Sequence, residues 1–501
     1  MQMKTNKDHK NFLILISDEH RKDAMGCVGH PIVKTPNLDA LAARGTIFEN
    51  AYTPSPMCVP TRAAIACGDY VHNTGFWDSA TPYDGSVISW MRQLRDTGVD
   101  VASIGKLHFR SREDDNGFTE EILPMHVLGG VGWTVGLLRD NPPEYDAAAE
   151  LAADVGAGKS SYTDYDLEIT SAAEAWLKGK KDTTQPWAAF VSLVSPHYPL
   201  TAPQEFFDLY NPAEMDLPVG YAPESRPDHA ELVNIARFFK YDKYFDQNKL
   251  REAKAAYYGL TSFMDSCLGR ILKTLKDTGQ ADNTVVVYVS DHGDMMGDLG
   301  LWTKQVMYDA SAGVPMIAAG PGVPEGRRVT TGTSLLDLSA TALDVLGVED
   351  NHDGSSRPGR SLRDIALSKD DPDRTIFSEY HDGGSTTGTF MVRWQQWKYV
   401  HYVGYPPQLF NMVTDPKELH DLAADATNTT NVLKALQEGE RRLREICDPD
   451  AVNEACFANQ KQRVEQLGGE EACLNAYSFN HTPTPTEQNE IRVLSDKLEH
   501  P

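Results

Sequence analysis

Four strand-like runs in this chain each end in ionisable residues, and that coupling constrains the fold more than any other feature. Residues 12–16 run into Asp18, residues 99–104 into Lys106 and His108, residues 187–194 into His197, and residues 284–290 into Asp291 and His292. Strands with few polar positions suit burial on both faces, as in a parallel sheet. Helical patterns fall between them, at 36–45, 86–97, 164–178, 250–278 and 334–346. Strands alternating with helices predict an α/β fold with a doubly wound, mainly parallel sheet. In such a sheet the carboxyl ends of the strands meet along one edge, where ligands bind. A single histidine or lysine there is more often structural or solvated, but four ionisable strand ends in succession make coincidence a poor explanation.

The rest of the chain is less regular. Residues 46–52 and 314–319 read as further strands, 110–160 as surface loops, and 203–248 as an insertion rich in proline and aromatics. Near residue 375 the pattern changes to short strands, 389–393 and 397–402, which predict a small antiparallel sheet. A helix over 432–447 and then a polar tail complete the chain, with no tandem repeat. The expected division is a catalytic α/β domain over 1–374 and a C-terminal subdomain over 375–501.

The chain has 501 residues, a net charge of −25 and seven cysteines. The charge argues against nucleic acid and anionic membrane as partners, although a local basic cluster can still hold an anionic substrate. An odd, scattered set of cysteines suggests reduced thiols. The N-terminal apolar run is too short for a signal core or a membrane span, so a cytoplasmic location is expected. Scattered apolar residues beyond 450, among them Phe457, Leu467, Tyr477 and Phe479, predict a homo-oligomer formed through the C-terminal part.

Cys58-Val59-Pro60-Thr61-Arg62 comes after a proline-rich turn and opens a short helix, with Pro60 in the first turn, where no backbone N–H is needed. Cys58 then lies at a helix N-terminus, which favours an anion, and Arg62 is one turn further on. A nucleophile position, free N–H groups and a guanidinium converge on a place for a tetrahedral oxyanion.

The pattern Cys-x-Pro-x-Arg resembles the signature of the type I, formylglycine-dependent sulfatases of the alkaline phosphatase superfamily, close to arylsulfatases, choline sulfatases and phosphonate monoester hydrolases. The order of Asp18, Cys58 to Arg62, Gly105-Lys106-Leu107-His108, Pro196-His197, Ser290-Asp291-His292-Gly293 and Trp302-Thr303-Lys304 is similar to that family over about residues 10–420. The resemblance implies that a formylglycine-generating enzyme oxidises Cys58. It implies that Asp18, Asp291, His292 and modified Cys58 ligate one divalent metal. Ca²⁺ is the family expectation, with Mg²⁺ possible and Mn²⁺ favoured by a histidine ligand. It further implies that Arg62 and Lys106 hold the nucleophile and the substrate oxyanion. His108 acts as base in regenerating the aldehyde, and His197 and Lys304 bind the ester and protonate the leaving oxygen. The hydrated aldehyde attacks sulfur in line, and its second hydroxyl then expels sulfate.

Two positions depart from the family. Glu19 stands where Asp or Gln is usual and is set apart from the direct ligands, and Cys67 replaces a small polar residue before Gly68. Phe76 and Trp77 suit either a substrate cleft or the core, and Asp78 beside them resembles choline sulfatases without fixing choline as substrate. The leading expectation is hydrolysis of aryl or alkyl sulfate monoesters to alcohol and inorganic sulfate. The nearest alternative is a phosphonate monoester or phosphodiester hydrolase, and a different class is a sulfate-binding module that keeps Cys58 as a thiol.

Overall fold

The computed structural model describes residues 10–240, 243–350, 357–425, 429–476 and 482–490. Its centre is an eight-stranded sheet. In chain order the strands are β1 (Asn11–Asp18), β2 (Gly45–Phe48), β3 (Asp100–Lys106), β4 (Glu120–Met125), β5 (Trp187–Pro196), β6 (Thr284–Ser290), β7 (Met316–Ala319) and β8 (Arg327–Val329). Their order across the sheet is β8-β2-β7-β6-β1-β5-β3-β4. β7 pairs antiparallel with both neighbours, and every other pairing is parallel.

β1 lies between β5 and β6 and is buried at every position. Its alternation sends Phe12, Ile14 and Ile16 into one core and Leu13 and Leu15 into another. The first core is closed by Cys58–Cys67, Trp90–Asp96 and Asp337–Leu346, the second by Ser161–Gly179 and Gln247–Asp277. Each fully buried large apolar side chain contributes roughly 1.5–3 kcal/mol. Helices on both faces make the sheet doubly wound, as its sequence pattern predicts.

Local chemistry shifts some boundaries. The expected strand over 46–52 divides into β2 and a separate pair, Ala51–Tyr52. The helix expected from 86 begins at Trp90, because the Ser89 side chain accepts from the Arg92 N–H and caps it. The stretch 110–160 contains β4, which extends the sheet, and several short helices.

The antiparallel sheet has four strands in sequential order, β9 (Ile376–Tyr380), β10 (Thr389–Trp394), β11 (Trp397–Tyr402) and β12 (Tyr405–Asn411). Buried Lys398 on β11 ties it to the main body through Asp309, the Met307 carbonyl and Glu418. The helix Thr430–Ile446 covers it.

The polar tail is helical instead, over Pro449–Gln466 and Glu470–Asn475. Phe457, expected to need another subunit, lies 4.5 Å beneath the Arg139 guanidinium of its own chain, and Leu467 is half-buried. Tyr477 and Phe479 lie outside the described residues. Self-coverage removes Phe457 as an argument for oligomerisation. No described helix is long and apolar enough to cross a membrane.

β3 ends in an irregularity between Ile104 and Lys106, where Gly105 has φ +99°. A Cβ there would lie 2.3 Å from the Ser192 carbonyl oxygen. Gly105→Ala should therefore cost about 1–3 kcal/mol in urea unfolding, from backbone strain alone. An unchanged unfolding midpoint would contradict this account of how Lys106 is aimed.

Candidate active site

The helix Cys58–Cys67 begins with Cys58 in its first position and is buried throughout. The Thr61 N–H bonds to the Met57 carbonyl, so the first turn closes around Pro60. Gly68 ends the helix at φ 69°, and a Cβ there would meet Ser339 Oγ at 2.4 Å. The neighbouring Cys67 is buried in the apolar core, away from the site.

Arg62 projects from that helix into the strand ends. Its Nε donates to Asp291 Oδ2 at 2.9 Å, and its Nη1 donates to the Lys106 carbonyl and to Ser192 Oγ, both at 2.9 Å. Its Nη2 lies 3.5 Å from Asp18 Oδ2. Lys106 pairs directly with the same carboxylate oxygen. Burial opposes ionisation of Asp18, but the Lys106 and Arg62 cations outweigh it and hold the carboxyl well below its usual range. On Cys58, burial and Asp18 push the thiol up to about 11, with Lys304 and Lys106 opposing. The unmodified thiol is therefore a protonated, poor nucleophile.

The donor set fits a metal. His292 Nδ1 donates to the Gly293 carbonyl at 3.0 Å, an assignment made from the bonding pattern. That leaves Nε2 as a lone pair 3.0 Å from Cys58 Sγ, 3.6 Å from Asp18 Oδ1 and 3.7 Å from Asp291 Oδ1. A ligating histidine is characteristically anchored this way through its other nitrogen. One donor atom from each of Asp18, Cys58, Asp291 and His292 lies within 4.8 Å of the others, and all four residues are buried. The set expected from the sequence thus converges on one point.

Glu19 joins a second buried group, in which one donor atom each of Asp18, Glu19 and His197 lies within 4.8 Å of the others. Its φ of 66° sends the carboxylate toward Lys304 Nζ at 3.1 Å and His197 Nε2 at 3.2 Å. Burial pushes its pKa well up, with Lys304 partly opposing, and Oε1 has no hydrogen-bond partner among the described residues. His197 Nδ1 donates to the Tyr198 carbonyl at 2.7 Å, leaving Nε2 to accept from Lys304 Nζ at 3.0 Å. Asp166 holds the end of that strand by accepting from the Val194 and Ser195 N–H groups. His108 is buried with neither ring nitrogen partnered among the described residues, and burial together with Lys106 and Arg62 holds it neutral. Glu19, His108, Thr303 and Gln305 all adopt left-handed φ, a strain that tends to collect at functional sites.

Cys58, His108, His197 and Lys304 open into one cavity of about 130 Å³. Its walls include Ser79, from the stretch 72–80 that the sequence places near the cleft, and Val127, Leu128, Trp133, Tyr145 and Phe239, which the sequence did not single out. Phe76 and Trp77 are core residues instead. Phe76 packs edge-on against Tyr83, and Trp77 against His381, at 5.5 Å in each case.

The Sulfatase family model matches residues 10–348, about two thirds of the chain, and so spans every residue of this cluster. The chain belongs to the sulfatase family. The model "N-sulphoglucosamine sulphohydrolase, C-terminal" matches residues 297–446. This sulfatase is similar to the choline-sulfatase of Rhizobium meliloti, at 31% identity over 82% of each chain. It is also similar to arylsulfatase K of Danio rerio, at 29% identity over 92% of this chain and 88% of the relative. In fold it is similar to the phosphonate monoester hydrolase of Agrobacterium radiobacter, with a TM-score of 0.70 at 23% identity, covering 87% of this chain and 96% of the other. It is a sulfuric ester hydrolase.

If the four donors share one ion, Asp291→Ala should abolish stoichiometric divalent metal in the purified protein, measured by elemental analysis. Full occupancy in that variant would refute the assignment.

Proposed function

We propose that this sulfatase hydrolyses small sulfate monoesters whose leaving group is an uncharged ring. The observation that carries the reading is the cavity over Cys58, which is largely apolar and aromatic and has no carboxylate among its described lining residues. Trp133, Tyr145 and Phe239 lie with ring centroids 5.5–6.5 Å apart. Engineered apolar cavities of ~150 Å³ hold a benzene molecule, so about 130 Å³ suits a compact ester. Among the described lining residues, a sugar carboxylate or second sulfate would find no lysine or arginine beyond Lys304, and a quaternary ammonium group no carboxylate.

Asp18, Asp291, His292 and residue 58 would hold a divalent cation, which when bound supplies Lewis-acid polarisation of the sulfate oxygens. The carboxylate donors favour Ca²⁺ or Mg²⁺, and His292 favours Mn²⁺. Formylglycine at position 58 would supply a hydroxyl nucleophile. Cys58 is 4% exposed, so the modifying enzyme must reach it before the helix packs. Arg62 and Lys106 fix Asp18, Asp291 and the oxyanion's surroundings by charge-assisted contacts. His108, held neutral, is suited to take a proton. Lys304 donates to His197 Nε2 and both face the cavity, which suits a pair in which Lys304 supplies the proton and His197 relays it to the leaving oxygen. Seven free cysteines support a reducing, cytoplasmic setting.

A phosphonate monoester is the second reading, since its tetrahedral anion suits the same donors and the fold resemblance includes such an enzyme. Steady-state kinetics of phenyl sulfate against a phenyl phosphonate monoester test the choice. The sulfate should have the higher kcat/KM, and the reverse order would overturn the reading.

His197→Ala should lower kcat/KM by ~10²–10⁴-fold for sulfates of basic alcohols, the usual worth of general-acid help. It should have much less effect on nitrophenyl sulfate, and Lys304→Ala should show the same trend. Equal losses across a series of leaving-group acidities would show that these residues only bind sulfate.

A further inference from the structure

The helix Pro449–Gln466 lies beyond the residues matched by either family model. It nevertheless reaches the turn behind the cavity wall through Gln460. Gln460 is 1% exposed, and its Nε2 donates to Asp78 Oδ2 at 2.8 Å and to the His381 carbonyl at 2.7 Å. Its Oε1 accepts from Arg139 Nη1 at 3.1 Å. Arg139, also 1% exposed, donates its Nε to the Ser385 carbonyl and stacks over Phe457 of the same helix. The amide thus bridges a buried guanidinium and a buried carboxylate, accepting from one and donating to the other.

What Asp78 holds is the turn that presents Ser79. Asp78 Oδ1 accepts from the Ala80 N–H and Thr81 Oγ1, both at 2.9 Å. From the other side Asp382 Oδ2 accepts from the Ser79 N–H at 2.8 Å and from Ser79 Oγ at 2.6 Å. The Ser79 carbonyl then accepts from the Trp133 N–H at 3.3 Å. The fit is close, because a Cβ on Gly132 would lie 1.9 Å from that carbonyl and one on Gly383 would lie 2.4 Å from the Trp133 ring. Ser79 and Trp133 both line the cavity. Asp78 and Asp382 are fully buried carboxylates flanking one residue, so each depends on its own donors to stay in place.

We propose that Gln460 is a positioning residue, which through Asp78 fixes the Ser79–Trp133 wall and so sets how tightly the leaving group is held. The inference rests on the reading that this cavity receives the leaving group. Removing the amide leaves Asp78 Oδ2 and Arg139 Nη1 each short of a partner inside the protein. The turn then relaxes, and Trp133 moves with it. The sulfate-binding cluster shares none of these bonds and keeps its geometry.

The test compares phenyl sulfate with a fluoroalkyl sulfate of matching leaving-group acidity, using the full-length enzyme, Gln460→Met and Phe457→Leu. Phe457→Leu keeps every hydrogen bond of the network and serves if Gln460→Met does not fold. Gln460→Met should raise KM for phenyl sulfate about 10-fold, since small misplacements of a positioning group carry effects of that order or more. Its kinetics with the fluoroalkyl ester and its inhibition by inorganic sulfate should match wild type. Phe457→Leu should shift the ratio the same way by less. Folded variants with the wild-type ratio, or with equal losses on both esters, would overturn the inference. A wild-type enzyme with no preference for the ring would instead overturn the leaving-group reading, and the inference with it.

Discussion

Asp18 and Asp291 are two fully buried carboxylates brought side by side, an arrangement that is unstable unless cations are brought with them. Arg62 is the group that answers this constraint. From a helix on one face of the sheet it bonds Asp291 at the end of β6, the Lys106 carbonyl at the end of β3 and Ser192 on β5. Its fork also lies against Asp18 on β1, where Lys106 completes the pairing. One guanidinium therefore ties four strand ends to the helix that carries Cys58. The rigid planar geometry of arginine suits it to this task better than lysine.

The same arrangement divides the site into two sides. Asp18, Asp291, His292 and Cys58 face one point, while Glu19, His197 and Lys304 gather on the other side, and Asp18 also lies within reach of Glu19 and His197. Glu19 belongs with the second group because its left-handed backbone turns it there. The net charge of −25 is no obstacle to an anionic substrate. Field inside a cleft is set by the nearest groups: Lys304 lines it, and Arg62 and Lys106 are buried next to it against Asp18 and Asp291.

Most of this half of the site was legible in the sequence. Buried parallel strands announce themselves by their apolar runs, and β6 matches its expected span of 284–290 residue for residue. The ionisable residues just past each run then fall at the ligand-binding edge. The cavity over Cys58 was not legible, for physical reasons that particular residues show. Trp133 and Tyr145 lie in a stretch without periodicity, and their burial depends on Phe239, more than ninety residues later in the chain. The helix Pro449–Gln466 reads as polar because its buried positions are Pro449, Cys456 and Gln460. A glutamine buried to bridge Arg139 and Asp78 leaves no apolar signal. Phe76 and Trp77 show the converse, since aromatic residues close in sequence to Cys58 proved to be core.

The claim at the centre of this account is that residue 58 acts as formylglycine at the focus of a buried charge cluster. The most direct measurement is the mass of the peptide containing residue 58, taken from enzyme whose sulfatase activity has been measured on the same preparation. The account predicts the aldehyde or its hydrate, in an amount that tracks specific activity across preparations. Full activity from protein whose Cys58 is entirely an intact, alkylatable thiol would contradict it.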